Sequence, residues 1–253
     1  MAKVFTIDIA RCSGCYNCQL ACKDEHAGND WLPYAAAQPL TGQFWCRVEE
    51  HVHGTIPKVN IHYEAQLCRH CDDAACMAVC PAGAISRRED GFVLIDPKAC
   101  NSCGACEEAC PYHSIYRNPV SGIAQKCTAC AHLLDAGQQP RCAEACPTDA
   151  LRFEEGEPVK GERVIYQNRP GRFIAGTVYD PEAEEIREGV RCVLSSGAET
   201  FTDDFGDFRF RNLPEGDYSL ELSAEGCENK SFPGLSLREN DINLGDIPLK
   251  KKA

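Results

Sequence analysis

Sixteen cysteines between Cys12 and Cys146 stand at spacings suited to holding metal. They fall into four runs. The first is Cys12-x2-Cys15-x2-Cys18-x3-Cys22. The second is Cys68-x2-Cys71-x4-Cys76-x3-Cys80, followed by Pro81. The third is Cys100-x2-Cys103-x2-Cys106-x3-Cys110, followed by Pro111. The fourth opens with Cys127-x2-Cys130, inserts eleven residues, and closes with Cys142-x3-Cys146 and Pro147. Three cysteines at two-residue gaps wrap a tight loop around one inorganic cube. A fourth, about one helical turn on, turns its sulfur away toward a different cube. Gly14 and Gly104 lie inside the loops, where the backbone must approach sulfide closely. The spacing therefore implies four [4Fe–4S] clusters and electron transfer.

Two other uses of cysteine compete with that reading. Isolated C-x2-C pairs suit zinc, but repeated three-plus-one runs ending in Cys-Pro do not. A disulfide framework needs an oxidising compartment and usually a leader. The start Met1-Ala2-Lys3-Val4-Phe5-Thr6-Ile7-Asp8 has one basic residue and no apolar leader core. It reads as a strand leading into Cys12. No Cys-x-x-Cys is followed by His, which excludes a c-type haem. The net charge of −12 lacks the basic stripe that nucleic acid requires. No window reaches the roughly 18 apolar residues of a membrane span. The expected location is cytoplasmic, with export beside a signal-bearing partner as the alternative.

The cysteines also mark the domains. Seventeen of the nineteen precede Ala150; Cys192 and Cys227 follow it. Residues 1–153 are expected to form the cluster domain, 154–171 a linker that begins around Glu154-Glu155-Gly156-Glu157-Pro158, and 172–253 an all-β domain. Strand patterns recur at Phe173–Tyr179, Val190–Leu194, Phe208–Phe210 and Tyr218–Leu222, with turns such as Pro214-Glu215-Gly216-Asp217 between them. The stretch from Thr202 to Tyr218 resembles the Cna-B or carboxypeptidase-regulatory type of β-sandwich. Docking or clamping a partner is its expected role. The expected class is α+β.

The cluster half resembles the iron–sulfur subunit of the dimethyl-sulfoxide-reductase family of molybdopterin oxidoreductases. The resemblance covers residues 3 to about 150 and rests on three motifs beside the cysteine runs. These are Val4-Phe5-Thr6-Ile7-Asp8, Asp90-Gly91-Phe92-Val93-Leu94-Ile95-Asp96, and Ala124-Gln125-Lys126-Cys127-Thr128-Ala129-Cys130. It implies two nested ferredoxin-like double-cluster modules. One cluster would take Cys12, Cys15, Cys18 and Cys146, and a second Cys22, Cys127, Cys130 and Cys142. A third would take Cys68, Cys71, Cys76 and Cys110, and a fourth Cys80, Cys100, Cys103 and Cys106. It further implies a large partner subunit holding Mo-bis(molybdopterin guanine dinucleotide), with the cluster of Cys12 nearest the pterin, and an external electron carrier. The chain departs from the family at Lys23, which stands where the first run usually has proline.

Within the family, Asp24-Glu25-His26, Trp31, Gly54-Thr55-Ile56-Pro57 and Cys130-Ala131-His132-Leu133-Leu134-Asp135 resemble the small subunits of the group that includes pyrogallol–phloroglucinol transhydroxylase and resorcinol hydroxylase. Small subunits of arsenate respiratory reductases are the neighbouring alternative. A free polyferredoxin and a scaffold stabilised by clusters are the rivals from other classes.

Residues outside the runs read more plainly. Cys46, Cys192 and Cys227 are expected as small buried apolar residues, with a Cys192–Cys227 bridge as the lesser option. The seven histidines show no ligand pairing. His70 and His113 lie close enough to cluster runs to tune one by hydrogen bonding, and Lys126 is the stronger candidate. Asp203, Asp204 and Asp207 lack the spacing of a calcium loop and read as turn residues. No nucleophile triad, Walker loop or dinucleotide fingerprint is visible, so no catalytic site is expected in this chain.

Overall fold

Val4-Phe5-Thr6-Ile7 has the β-branched and aromatic character of a strand buried on both faces. It lies in β1 (Ala2–Asp8), the middle strand of a three-stranded sheet. The computed structural model describes residues 2–252. These divide into two units: the residues up to His51 with His62–Arg169, and Val52–Ile61 with the residues from Pro170 on.

In the first unit β1 is followed by α1 (Asn17–His26) and the hairpin strands β2 (Cys46–Thr55) and β3 (Lys58–Leu67). Next come α2 (Ala75–Ala78), the pair β4 (Ile85–Arg87) and β5 (Val93–Ile95), and α3 (Ala105–Ala109). The pair β6 (Tyr116–Arg117) and β7 (Ala124–Gln125) precedes α4 (Ala131–Asp135) and α5 (Arg141–Glu144). The unit ends with β8 (Leu151–Gly156) and β9 (Val164–Gln167). β8 runs antiparallel to β1 with Ile7 opposite Leu151, and β9 runs parallel to it with Phe5 opposite Val164. The β1–β8 pairing brings the start of the first cysteine run beside the end of the fourth. Phe5, Phe92 and Phe153 pack together above it, with ring centroids 4.9 Å apart for Phe5 and Phe153.

Two expectations change here. The presumed linker, 154–171, supplies strand: Glu154–Gly156 complete β8 and β9 follows. β1 has two sets of backbone groups to satisfy, and this stretch satisfies both. The α+β expectation also shifts toward β, because helices other than α1 are only four or five residues long. The proline after each of the last three runs keeps α2, α3 and α5 short, since proline ends a helix by clash and a missing donor. Lys23 imposes no such stop. α1 continues to His26, and the Lys23 ammonium donates to the carbonyls of Pro39 (3.0 Å), Gly42 (2.7 Å) and Gln43 (3.3 Å).

The second unit is a two-sheet β structure. β10 (Arg172–Asp180) pairs with β11 (Glu185–Ile186), β14 (Asp207–Leu213) and, in parallel, β17 (Ile242–Pro248). The other sheet has the order β13 (Glu199–Phe201), β12 (Arg191–Leu194), β15 (Asp217–Ser223), β16 (Lys230–Ser236). Ile174, Val178, Phe208 and Ile247 of one sheet meet Cys192, Leu194, Leu220 and Leu222 of the other in a continuous core. Cys192 and Cys227 are both free and buried. Asp203 accepts from the backbone N–H groups of Phe205 (3.0 Å) and Asp207 (2.9 Å), which closes a turn. The tip of the β2–β3 hairpin belongs to this unit, where Lys58 pairs with Asp207 and Asn243 donates to the Thr55 carbonyl at 3.4 Å. Gly54, at φ 83°, is required there: a Cβ would meet the Lys58 carbonyl and the Phe173 ring at 2.4 Å.

Candidate metal centres

Every cysteine run opens with the same turn. The residue before its second cysteine is left-handed in all four, at Gly14 (φ 67°), His70 (46°), Ser102 (62°) and Ala129 (54°). For the three that are not glycine, this backbone costs roughly 1–2 kcal/mol each. At Gly14 the Tyr63 ring adds a second reason, lying 2.7 Å from where a Cβ would sit. Successive N–H groups in such turns form a concavity for an anion, a device found at phosphate and iron–sulfur sites. The same backbone turn recurs in all four runs and suits an anionic guest in each.

The side chains then gather the cysteines across the runs. Cys12, Cys15, Cys18 and Cys146 line one hollow of about 360 Å³ beside Ile7 and Leu151. Cys68, Cys71, Cys76 and Cys110 line another of about 380 Å³ beside Val93 and Ile115. Cys80, Cys100, Cys103 and Cys106 line a third of about 300 Å³ beside Ile85 and Ile95. The remaining four, Cys22, Cys127, Cys130 and Cys142, are buried and stand within electrostatic reach of one another. Among the described residues no three cysteine sulfurs lie within 4.8 Å of one another. One zinc ion with thiolates at about 2.3 Å would draw its sulfurs to about 3.8 Å. The wider groups fit a four-cornered inorganic core instead. All nineteen cysteines are free, so no disulfide framework is present.

The groups form a series. Cys46 stands beside both the first and the second: neighbouring Cys142 and Cys18, with burial, hold its thiol well above its usual range, and Cys46 in turn draws Cys18 down. Cys127 of the second group feels Cys68 of the third, and Cys106 of the fourth feels Cys76 of the third. Cys15 and Cys103 are exposed, and they belong to the two end groups.

Burial dominates the proton chemistry. It pushes Cys127 up to about 12, with Cys142 adding to it, and Cys71 and Cys106 up to about 11. Burial and then the thiols of Cys142, Cys127 and Cys130 raise Cys22 further. These groups are thiols until metal displaces their protons. Backbone donors await the resulting charge: Ala129 N–H on Cys127 Sγ (3.4 Å), Leu151 on Cys146 (3.4 Å) and Ala124 on Cys100 (3.5 Å).

Lys126 is 2 % exposed and donates to the carbonyls of Val93 and Cys127. Its charge opposes the burial that raises Cys76. His70 is fully buried, and its Nδ1 accepts from the Val93 N–H at 3.1 Å. His113 is exposed. Glu25 collects several motif residues: it accepts from His132 (2.9 Å) and Arg141 (2.7 Å), while Trp31 stacks on His132 at 4.1 Å. Two features escape sequence reasoning. Cys46 touches two groups from outside any run, and His51, His62 and Glu64 converge on the β2–β3 hairpin. A lone cysteine carries no spacing signal. Histidines eleven residues apart carry one only once the hairpin register is known.

A family described as a 4Fe-4S dicluster domain matches residues 59–156, and a carboxypeptidase regulatory-like domain matches 173–250. The chain is 36% identical to the pyrogallol hydroxytransferase small subunit of Pelobacter acidigallici, over 96% of this chain and 97% of that one. It is 37% identical to the thiosulfate reductase electron transfer subunit of Salmonella typhi, over 68% and 88% of the two chains. A probable anaerobic dimethyl sulfoxide reductase chain of Escherichia coli is 40% identical over 59% and 71%.

Proposed function

The chain belongs to the family of electron-transferring iron–sulfur subunits of molybdopterin oxidoreductases, and we propose that it carries four [4Fe–4S] clusters as a one-electron relay in such a complex. The ligand sets are the four cysteine groups: Cys12, Cys15, Cys18 and Cys146; Cys22, Cys127, Cys130 and Cys142; Cys68, Cys71, Cys76 and Cys110; and Cys80, Cys100, Cys103 and Cys106. The outer runs supply the first two sets and the inner runs the other two, as two nested ferredoxin-like modules would. The observation that carries the relay is the serial order of the groups, with exposed cysteines in the two end ones.

Bound there, each cluster supplies reversible one-electron chemistry. The chain's own residues set the conditions for it. Val93, Ile115, Ile85, Ile95 and Leu151 keep water from the hollows, the three N–H···S donors stabilise added negative charge, and buried Lys126 adds a positive charge. The Cys12 group faces the molybdenum subunit in this reading, and the Cys80 group faces an external carrier. The likeness to a pyrogallol hydroxytransferase small subunit along almost the whole chain favours a catalytic partner acting on phenolic rings. The β-sandwich then serves to dock that partner. Among the described residues no helix is long and apolar enough to cross a membrane.

Anaerobic purification through a tag on this chain tests the reading. The expected product has a large co-purifying subunit, one molybdenum and about sixteen irons. Sixteen irons with neither molybdenum nor a partner would leave a free polyferredoxin.

A further inference from the structure

The β2–β3 hairpin carries a second ligand set, remote in chemistry from the cysteines. His62, Glu64 and Gln66 alternate along β3 and so share one face, and His51 of β2 lies across from them with its ring stacked on His62 at 4.9 Å and 16°. The Nε2 of His62 is 3.3 Å from Glu64 Oε1, and the Nε2 of His51 is 4.0 Å from Glu64 Oε2. One donor atom from each of the three residues falls within 4.8 Å of the others. Two ligands at about 2.0–2.1 Å from a tetrahedral ion stand about 3.3 Å apart, so the His62–Glu64 edge already has the required length.

The surroundings prepare the carboxylate. Glu64 is 1 % exposed. Its Oε2 accepts from Arg169 (2.8 Å) and Gln66 (3.3 Å), and Gln66 is fixed in turn by the Tyr166 hydroxyl at 2.8 Å. Oε1 is thereby left to face His62, while His51 approaches Oε2. Such outer hydrogen bonds are what orient ligating carboxylates in metal sites. The His51 Nε2 is itself buried and makes no hydrogen bond, although its ring is partly exposed. Glu49 Oε2 stands 4.0 Å from the same nitrogen on the open side.

We propose that His51, His62 and Glu64 bind one divalent transition-metal ion of the zinc class, with water completing the shell. Two neutral imidazoles and one carboxylate form a borderline donor set that suits zinc better than calcium or magnesium. The Arg169 and Gln66 donors to Oε2 are left in place, and only His51 needs to close on the ion.

The test uses the anaerobically purified, cluster-loaded complex, washed with chelator, incubated with zinc chloride alone and desalted. The wild type is expected to retain one zinc per chain, with X-ray absorption showing nitrogen and oxygen at about 2.0–2.1 Å. His51→Ala, at a partly exposed position, and His62→Asn should each abolish retention without changing iron content. Gln66→Ala should weaken binding about tenfold or more. Three results would overturn the site: no retained zinc in the wild type, equal retention in both histidine variants, or sulfur ligands at about 2.3 Å.

Discussion

The two units solve the same problem with different materials. The second closes on itself: Ile174, Val178, Leu220, Leu222 and Leu237 are all at 0 % exposure, and its sheets meet through hydrocarbon. The core of the first sets Cys18, Cys22, Cys68, Cys127 and Cys142 among Phe5, Ile7, Leu67 and Phe92. Three of the four cysteine groups there surround a hollow. The sandwich is complete as a polypeptide, whereas the cluster unit becomes complete only with inorganic material bound.

This contrast can be broken most severely at a buried cysteine of the proposed ligand sets. Cys130→Ser should leave about twelve irons in place of about sixteen and open the first unit to proteolysis, while the fragment from Pro170 on resists. Intact iron content in that variant would remove Cys130 from the ligand set. A core truncation in the other unit should do the reverse. Leu220→Ala is expected to destabilise the sandwich by about 2–5 kcal/mol, with the visible spectrum of the clusters unchanged; denaturant titration followed at two wavelengths separates the effects.

Acid should weaken the first unit through a buried histidine. Burial lowers His26 to about 4, so the folded chain keeps it neutral while the unfolded chain protonates it below about 6.5. Its contribution is therefore fully present above pH 6.5 and is lost as pH falls toward 4, by up to about 3 kcal/mol. His26→Phe should flatten that part of the stability profile. Removing an exposed pair should matter least. Arg191→Ala breaks the 2.6 Å contact with Glu199, and a change within about 1 kcal/mol is expected.

How much of this was legible in the sequence follows the same division. Cluster chemistry is local, so the runs and the strand before Cys12 stood out. The alternation in Tyr218–Leu222 located β15, and Phe173–Tyr179 located all but the ends of β10. Relations made by distant residues were not legible. The carboxylate of Glu64 depends on Arg169, 105 residues away. β9 emerges from a stretch that reads as linker because its pairing partner lies at the other end of the unit. Lys23 was visible as a departure, but only the fold shows that it lets α1 run on and anchors the following loop.

The central claim is that sixteen cysteines surround four inorganic cubes. Counting iron and acid-labile sulfide in the anaerobically purified chain, with Mössbauer spectra of the same sample, tests it most directly. The account predicts about sixteen of each per chain, all in cubane sites. Zinc in place of iron, or iron without sulfide, would contradict it.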